Sequence, residues 1–182
     1  DNATAQTVYF FGAGAYFNLY INNTSGTGAT LGAAVSATNV TGNLRVQSGT
    51  LNTGAFNIVG NFTRTFEVAN GAFFKTTTAT TNAFPSGFGT NSLGASSTVE
   101  YRANGAQTVS AQNYGNLTIT ATSSRTVTLA NSGTINIAGV FSPAATLTTY
   151  ITTGSSVGFN GTTGSQDIPA FAFNNLIINN TS

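Results

Sequence analysis

The stretch YFNLYINNTS at residues 16–25 returns as FNNLIINNTS at residues 173–182, so the two copies are offset by 157 residues. A third copy, YGNLTITATS, lies at residues 114–123. Leu19, Leu117 and Leu176 take the same place in the three copies, which divides the offset into steps of 98 and 59 positions. A second shared block precedes each copy and reads AQTV at 5–8, AQTV at 106–109 and SQDI at 165–168. Matches in the same order at such offsets indicate a chain built from internal repeats.

The last two copies match over a longer stretch. STVEYRANGAQTVSAQNYGNLTI (97–119) aligns with SSVGFNGTTGSQDIPAFAFNNLII (155–178), with one residue inserted in the second. The stretch FPSGFGTNSLGASS (84–97) has the least strand-like composition, and we predict a surface loop insertion there. The predicted division is the end of one unit at 1–18, a long unit at 19–116, a short unit at 117–175 and the start of the next unit at 176–182.

Apolar residues inside the units alternate with polar ones. Examples are Leu44 and Val46, Val127 and Leu129, and Ile135 and Ile137. A period of two places such side chains on one face of a β-strand, and clusters of Asn, Gly and Ser separate the strands. No segment has a convincing helical period, so an all-β fold is predicted.

Short strands at close intervals are compatible with a β-solenoid or with β-sandwiches in tandem. The unequal lengths of the units 19–116 and 117–175 favour the solenoid, because its length changes by insertion of coils. Sandwich domains, in contrast, have an even length of about 100 residues. With about 20 residues per coil, the units would be about five and three coils long. The predicted fold is a right-handed parallel β-solenoid (β-helix), with a tandem β-sandwich as the alternative.

The charge content excludes several classes of function. Charged residues make up 5% of the chain, and the net charge is +1. A clustered basic surface for nucleic acid or for a membrane surface is therefore excluded. Cys and His are absent, so the usual ligands of zinc, haem and iron–sulfur clusters are missing, and we predict no metal and no cofactor. Low charge suits a solenoid, where stacked Thr and Asn form ladders but like charges repel.

Catalysis is not predicted. The acids are Asp1, Glu67, Glu100 and Asp167. Glu100 and Asp167 align with Gly158 and Thr108 in the other copy, whereas a catalytic carboxylate pair is expected at one special place. No His is present to activate a nucleophile, so neither an enzyme nor any catalytic residue is predicted.

Lysine and threonine residues give two further hypotheses. The single lysine, Lys75, is expected at the surface, with an isopeptide bond to an Asn, assisted by a nearby Glu such as Glu67, as the minor alternative. The threonine clusters KTTTATT (75–81) and TLTTYITT (146–153) raise the hypothesis of ice binding. Because these clusters are out of register with the repeats, ordinary strand threonines are predicted instead.

Adjacent aromatic residues occur at Phe10–Phe11, Tyr16–Phe17 and Phe73–Phe74. In a strand one residue of each pair would be exposed and could stack on a sugar or a partner. We favour the alternative, in which a corner or loop covers both rings. The N-x-[ST] triplets, including Asn23 and Asn180, do not establish glycosylation in a chain so rich in Asn and Thr.

The blocks STVEYRANGAQTVSAQNYGNLTI and VTGNLRVQSGTLNTG resemble the β-strand repeat arrays of very large exported adhesins of Bacteroidota-like bacteria. The resemblance covers most of the chain except 72–97 and implies a right-handed β-helical rod, an extracellular location and a spacer or adhesive role. It transfers no functional residue, because the repeat has no recognised catalytic motif. The insertion in the long unit departs from the regular pattern of such arrays.

The expected function is therefore that of a structural or adhesive repeat module at a cell surface. Its expected partners are neighbouring units of the same or identical chains, with surface glycans as a further candidate. The alternatives are a carbohydrate-binding β-helix and a self-assembling filament or sheath subunit. The start, DNATAQTV, lacks the pattern of a signal peptide, so an export signal is expected outside this chain.

Overall fold

The computed structural model describes residues 4–80 and 83–181, which contain strands and no helix. In chain order the strands are β1 (Gln6–Val8), β2 (Leu19–Asn23), β3 (Ala29–Leu31), β4 (Leu44–Asn52), β5 (Thr65–Val68), β6 (Phe73–Thr76), β7 (Thr90–Leu93), β8 (Thr98–Tyr101), β9 (Gln107–Val109), β10 (Asn113–Tyr114), β11 (Asn116–Ile119), β12 (Arg125–Leu129), β13 (Ile135–Ile137), β14 (Phe141–Ser142), β15 (Thr148–Ile151), β16 (Ser156–Phe159) and β17 (Asn175–Ile178).

Every pair of these strands is parallel, and paired strands lie one coil apart in the sequence. Thr98 of β8 pairs with Asn116 of β11, and Thr65 of β5 pairs with Thr90 of β7. Parallel neighbours cannot be joined by tight hairpins, so the chain must travel around the molecule before each strand meets its partner. The fold is a β-solenoid of about 7 turns, as predicted, and not a tandem β-sandwich.

The solenoid has three faces. The first face contains β1, β3, the second half of β4, β6, β8, β11 and β14. The third face contains β2, the first half of β4, β5 and β7, followed by β10, β13, β16 and β17. Between them, the second face has only isolated bridges in the early coils and becomes a sheet of β9, β12 and β15 in the later ones.

Strand β4 passes from the third face to the first through Gly49. This glycine has a φ of 69°, and a Cβ there would lie 1.6 Å from the Asn23 carbonyl oxygen. Only glycine adopts this conformation without strain while the backbone of the neighbouring coil approaches so closely. The corner therefore depends on the absence of a side chain.

The core is a continuous column of inward-facing apolar residues. Leu44 and Val46 of β4 and Val127 and Leu129 of β12 are buried, which confirms the alternation predicted from the sequence. Full burial of each such side chain stabilises the fold by about 1.5–3 kcal/mol.

Polar side chains also stack from one coil to the next, both inside and outside the column. Thr53 and Thr78 are buried, and their hydroxyls share a hydrogen bond of 3.3 Å. On the outer surface, the Asn136 amide donates to the Asn113 side-chain oxygen at 2.8 Å, and Thr122 donates to Asn104. Such ladders give adjacent coils hydrogen bonds beyond those of the strands.

The stretch 84–97 differs from the predicted surface loop. Thr90–Leu93 forms β7 and pairs with β5 along its whole length, and Phe84 is buried with its ring 5.7 Å from that of Phe66. TNSL lacks the alternation that marks other strands, so only its distant partner β5 identifies it as a strand. The remaining residues of this stretch lie outside the strands.

The offset between Leu19 and Leu176 corresponds to seven coils. On the third face, β2 is followed by β4, β5, β7, β10, β13, β16 and β17, so β17 lies seven coils after β2 on the same face. The long and short steps are not whole numbers of coils, because the intermediate copy, β11, lies on the first face. The steps span four and a third coils and two and two-thirds coils, against the predicted five and three. Coils of about 22 residues, rather than 20, account for the difference.

Candidate functional site

The carboxylates of the described residues are not brought together. Glu67 pairs with Arg45 at 3.2 Å and Glu100 pairs with Lys75 at 3.6 Å, each across two adjacent strands. Asp167 lies on the last coil, and Asp1 lies outside the described residues. Within 4–80 and 83–181, no group of three or more acidic or other metal-binding side chains is assembled.

Lys75 lies on β6 opposite Glu100 of β8 rather than beside Glu67. Its side chain is half-buried and its ammonium group pairs with the Glu100 carboxylate, while Asn52 of β4 is its register partner on the other side. The structure thus gives Lys75 an ion pair between coils and places it beside an asparagine and a glutamate, but that glutamate is Glu100 and not Glu67.

The two threonine clusters have different environments. In 75–81, Thr76 and Thr78 point inward, where their hydroxyls donate to the carbonyl oxygens of Ala83 at 2.7 Å and Phe56 at 2.8 Å. In 146–153, Thr149 is exposed on the second face. Thr76 and Thr78 of the first cluster therefore serve internal hydrogen bonding, in agreement with ordinary strand threonines, whereas Thr81 lies outside the described residues.

The aromatic pairs each expose one ring, which is the hypothesis that the sequence analysis did not favour. Phe11, Phe17 and Phe73 are 89%, 62% and 43% exposed, respectively. The other ring of each pair packs against the core or is part of it. The expected covering of both rings by a corner or loop is thus wrong, because neighbouring side chains point to opposite sides of the chain at these pairs.

The richest surface chemistry lies on the third face, at the early coils. We call Phe17, Tyr20, Arg45, Arg64 and Glu67 the aromatic–arginine patch. The guanidinium carbon of Arg64 lies 5.3 Å from the centroid of the Phe17 ring, a cation–π distance. Arg45 is the register partner of both Tyr20 and Glu67. The patch holds two of the four arginines and two exposed aromatic rings.

Backbone spacing makes the Phe17–Arg64 contact possible. The two residues lie two coils apart, with Gly42 in the intervening coil. A Cβ on Gly42 would lie 2.0 Å from the Phe17 carbonyl oxygen, so any side chain would block this position. Arg64 reaches past the glycine and also donates from Nε to the Thr41 carbonyl at 3.3 Å.

A small cavity of about 90 Å³ opens within the patch, lined by Tyr20, Asn43, Arg45, Thr65 and Glu67. Its walls combine a phenol ring with amide, guanidinium, hydroxyl and carboxylate groups. Planar polar groups beside an aromatic ring suit a ligand with both hydroxyls and an apolar face. Sequence reasoning named Glu67 and Phe17 but did not bring the residues of the patch together.

Gln107 and Gln166 form equivalent structures, which we call glutamine clasps. The side-chain nitrogen of Gln107 donates to the carbonyls of Thr76 and Thr78 in the preceding coil at 3.1 and 3.0 Å. Its oxygen accepts the backbone N–H of Ala103 at 3.0 Å. Each clasp fastens a corner to the coil before it, where regular strand pairing ends.

The same pattern recurs at Gln166. Its nitrogen donates to the carbonyls of Ile137 and Gly139, both at 2.9 Å. Its oxygen accepts from the Gly161 N–H at 2.6 Å. Both clasps therefore bond two carbonyls of the preceding coil and one N–H of their own corner.

The first copy of the block retains one part of this arrangement. The Asn23 side chain donates to the Gln6 side-chain oxygen at 2.8 Å, as Asn180 does to Gln166 at 3.2 Å. In both copies the asparagine lies near the end of the strand that the block precedes, since Asn23 is the last residue of β2 and Asn180 comes two residues after β17. The glutamine shared by all three sequence blocks was the signal that could have identified this motif.

Tyr101 and Tyr114 close a buried ring of hydrogen bonds with Ser110. The Ser110 N–H donates to the Tyr101 hydroxyl at 3.2 Å, and the Tyr114 hydroxyl donates to the Ser110 carbonyl at 2.8 Å. The Tyr101 hydroxyl must therefore donate to that of Tyr114, 2.9 Å away. Burial raises the pKa of Tyr101, and burial followed by repulsion from Tyr101 raises the pKa of Tyr114 well above its ordinary value.

Arg125 is buried without a carboxylate partner among the described residues. It donates to the carbonyls of Tyr101 at 2.9 Å and Thr120 at 2.8 Å, and to the side-chain oxygen of Gln107. Burial lowers the pKa of Arg125, an effect that the nearby Tyr150 partly offsets. These contacts join the corner between β11 and β12 to the equivalent corner between β8 and β9 in the preceding coil.

Comparison with known proteins gave no match to a family model, to a curated protein or to a solved structure. Within the described residues, no helix is long and apolar enough to cross a membrane.

Proposed function

We propose that this chain is a structural and adhesive repeat module of a large extracellular surface protein, acting as a stiff rod without catalysis. The observation that carries the proposal is the return of the sequence to the same face after seven coils. Residues 173–178 repeat the character of residues 16–21 at an equivalent position of the rod. Units with this period extend the same straight surface, as a spacer requires.

The distribution of polar groups supports the same role. Glu67 and Glu100 are each paired with a cation of an adjacent coil, and exposed Asn and Thr ladders connect coils on the outside. Such ladders resist separation of the coils along the rod. A surface of repeated, weakly interacting groups gains strength when many units contact the same target at once.

A rod-length experiment tests the structural part. Chains with one, two and three copies of residues 19–175 joined directly should lengthen by about 34 Å per copy, from seven coils at about 4.8 Å each. Small-angle X-ray scattering measures the maximum dimension. The control joins the same copies through a flexible Gly/Ser linker. Increments that match the flexible control would contradict a stiff rod.

A binding experiment tests the adhesive part. Rods of one and three copies are compared for retention on beads coated with cell-surface polysaccharide. Retention that rises more than about threefold with copy number is expected from simultaneous contacts. Retention that does not depend on copy number would remove the adhesive role and leave the spacer role.

A second candidate function is glycan binding at the aromatic–arginine patch. It is favoured by the cavity in which the exposed Tyr20 ring adjoins Arg45 and Glu67. A glycan array should show one class of sugar whose binding Tyr20→Ala reduces, while Phe73→Ala on the first face leaves it unchanged. Stacking of a sugar on one aromatic ring contributes about 1 kcal/mol, so a loss of about fivefold is expected. Equal effects of both substitutions would exclude this site.

A further inference from the structure

One arginine in the middle of the rod has no internal partner. The other cationic side chains contact a glutamate, an aromatic ring or buried oxygens; they are Arg45, Arg64, Lys75 and Arg125. Arg102 comes directly after β8 and is exposed. Within the described residues its guanidinium forms no ion pair, no hydrogen bond and no ring contact. Its charge is therefore available to a ligand.

Arg102 lies in an open groove of about 620 Å³ at the corner where the first face ends. We call this the Arg102 groove; its lining comes from four consecutive coils, with Ala55, Thr77–Ala79, Arg102 and Asn104, and Thr122. At about 4.8 Å per coil, the groove is about 14 Å long. Each of these coils has a further coil before it and after it, so units added at either end of the rod would leave the groove open.

The hydroxyl protons that line the groove are used within the protein. Thr77 donates to the Asn52 side-chain oxygen at 3.1 Å, and Thr122 donates to the Asn104 side-chain oxygen. The Arg102 guanidinium and the Asn104 side-chain nitrogen have no partner among the described residues. Both of these unused groups are donors, which suits a ligand group that only accepts hydrogen bonds, such as a carboxylate or a sulfate.

The charges near the groove also favour an anion. Glu100, two residues before Arg102, pairs with Lys75 at 3.6 Å. These three side chains together leave one positive charge on this part of the first face. Among the described acids, Glu67 pairs with an arginine of the third face, and Asp167 lies on the last coil. No free carboxylate among the described residues therefore competes with a ligand for Arg102.

The lining of the groove indicates a polysaccharide rather than a peptide. Apart from Arg102, it consists of threonine hydroxyls, one amide and two alanines, so it offers no large apolar side chain as an anchor. The strands β6 and β8 are paired on both edges, so neither can receive a peptide as an added strand. An acidic polysaccharide presents hydroxyls and anionic groups along an extended chain and needs neither feature.

We propose that the Arg102 groove binds an acidic polysaccharide. The Arg102 guanidinium bonds a carboxylate or sulfate group, and the Asn104 amide donates to a neighbouring oxygen of the ligand. The proposal rests on the adhesive part of the proposed function, because it names the class of ligand that the rod adheres to. The two are tested separately, since adhesion is tested by copy number and the groove by substitutions in a single copy.

Three substitutions that each lower the net charge from +1 to zero test the groove. Arg102→Gln removes the cation. Asn104→Asp replaces a donor by a carboxylate of nearly the same shape, whose oxygen can still accept the Thr122 hydroxyl. Asn22→Asp is the matched control, because Asn22 is exposed on the third face and its side-chain oxygen also accepts a hydroxyl from the next coil, that of Ser48. Circular dichroism checks that all three variants fold.

The dissociation constant for polygalacturonate is measured at low salt, with the fully methyl-esterified polymer as its uncharged counterpart. Arg102→Gln and Asn104→Asp should each weaken binding to the charged polymer by about fivefold, and Asn22→Asp should leave it unchanged. High salt should reduce the differences. Equal losses in all three variants would show that only net charge matters and would overturn the proposal. Equally tight binding of the esterified polymer would also overturn it.

Further polymers identify the ligand. Dextran sulfate, compared with dextran, tests the sulfate group against the carboxylate of polygalacturonate, and the polymer whose binding Arg102→Gln weakens more contains the preferred group. Polyglutamate that binds as tightly as both acidic polysaccharides, with the same sensitivity to Arg102→Gln, would overturn the assignment to a polysaccharide. If retention still rose with copy number while no polymer responded to Arg102→Gln, the groove would be excluded and the adhesive role would stand.

Discussion

At the scale of single residues, the glutamine clasps show how a sequence repeat becomes a structural one. Gln107 is 2% exposed and also receives a bond from Arg125, whereas Gln166 is half-buried in the last coil. Both satisfy two carbonyls and one N–H of the backbone. A buried polar group without a hydrogen-bond partner destabilises the fold. Each glutamine therefore stabilises its corner because it supplies hydrogen-bond partners to these two carbonyls and this N–H.

Replacement of the clasp residues should therefore have unequal effects. Gln107→Leu should lower the free energy of unfolding by about 3 kcal/mol or more, because Ala103 N–H and Arg125 lose a buried acceptor. Gln166→Leu should cost about 1 kcal/mol, since water reaches that corner. Urea denaturation of both variants measures the difference. Equal losses would show that burial does not decide the contribution of the clasp.

The hydrogen-bonded ring of Tyr101, Tyr114 and Ser110 can be compared with the equivalent residues of the second repeat copy. Tyr101 and Tyr114 align with Phe159 and Phe173, and Ser110 aligns with a proline. The second copy thus lacks both hydroxyls and the N–H that bonds to them, while its rings still meet edge to face at 6.0 Å. The three polar groups are present together in one copy and absent together in the other, as expected for a closed network.

A double-mutant cycle tests this coupling. Tyr101→Phe and Tyr114→Phe should each lower the free energy of unfolding by about 1–3 kcal/mol, because each leaves a buried group without its partner. The double substitution should cost about 1 kcal/mol less than the sum of the two single ones. Chemical denaturation of the four proteins measures the coupling, and strict additivity would contradict a shared network.

The same tyrosines predict a loss of stability in alkali. Both have raised pKa values in the folded chain, so they stay protonated while the unfolded chain ionises near pH 10. Their contribution is fully present below that pH and is lost as the pH rises toward the folded pKa values. Above pH 10 the free energy of unfolding should fall more steeply in the wild type than in the double Phe variant, by about 2 kcal/mol per pH unit. Urea denaturation of both proteins at a series of pH values measures this. If the free energy of unfolding fell equally steeply with pH in the wild type and in the double Phe variant, the tyrosines would not be buried and neutral.

At the scale of the strands, opposite charges occupy neighbouring positions of one row. Lys75 of β6 and Glu100 of β8 are register partners, and their side chains are partly buried. Lys75→Glu places two carboxylates opposite each other and should destabilise the chain by about 1 kcal/mol. Adding Glu100→Lys restores opposite charges and should recover most of that loss. Thermal unfolding at low and high salt is the measurement, and the effect should shrink with salt.

Strands with regular alternation were predictable, and strands without it were not. Leu44 and Val46 repeat at a spacing of two because one side of β4 is buried, and this spacing is visible in the sequence. The strand Thr90–Leu93 has no such pattern, since its place is determined by pairing with β5, a full coil earlier in the chain. Long-range pairing of this kind leaves no local signal.

The patch and the clasps were hidden for the same reason. Arg64 contacts Phe17 because the two residues lie two coils apart at the same position of the third face. The sequence does not mark where each coil ends, so this proximity is not visible in it. The partners of Gln107 lie in the preceding coil, and they are backbone carbonyls, which every residue type carries. A sequence repeat locates such a residue, but only the winding of the chain identifies its contacts.

At the scale of the whole molecule, stability should decrease from the middle toward both ends. Interior strands such as β6, β8 and β11 have a neighbour on each side, whereas β1 and β17 have one among the described strands. In a one-dimensional array, terminal coils open with a smaller free energy than interior ones. Hydrogen exchange should be slowest at β8 and at least about tenfold faster at β17. Uniform exchange along the chain would indicate all-or-none opening instead.

The offset of the middle repeat has a geometric consequence for chains of other lengths. Because β11 lies one face away from β2 and β17, adding one short unit (117–175) turns everything beyond it by a third of a revolution. Three such additions would return the pattern to its starting azimuth. A change in the number of short units therefore rotates every surface patch beyond them about the solenoid axis. One long unit and one short unit together span seven whole coils, so they add no net rotation.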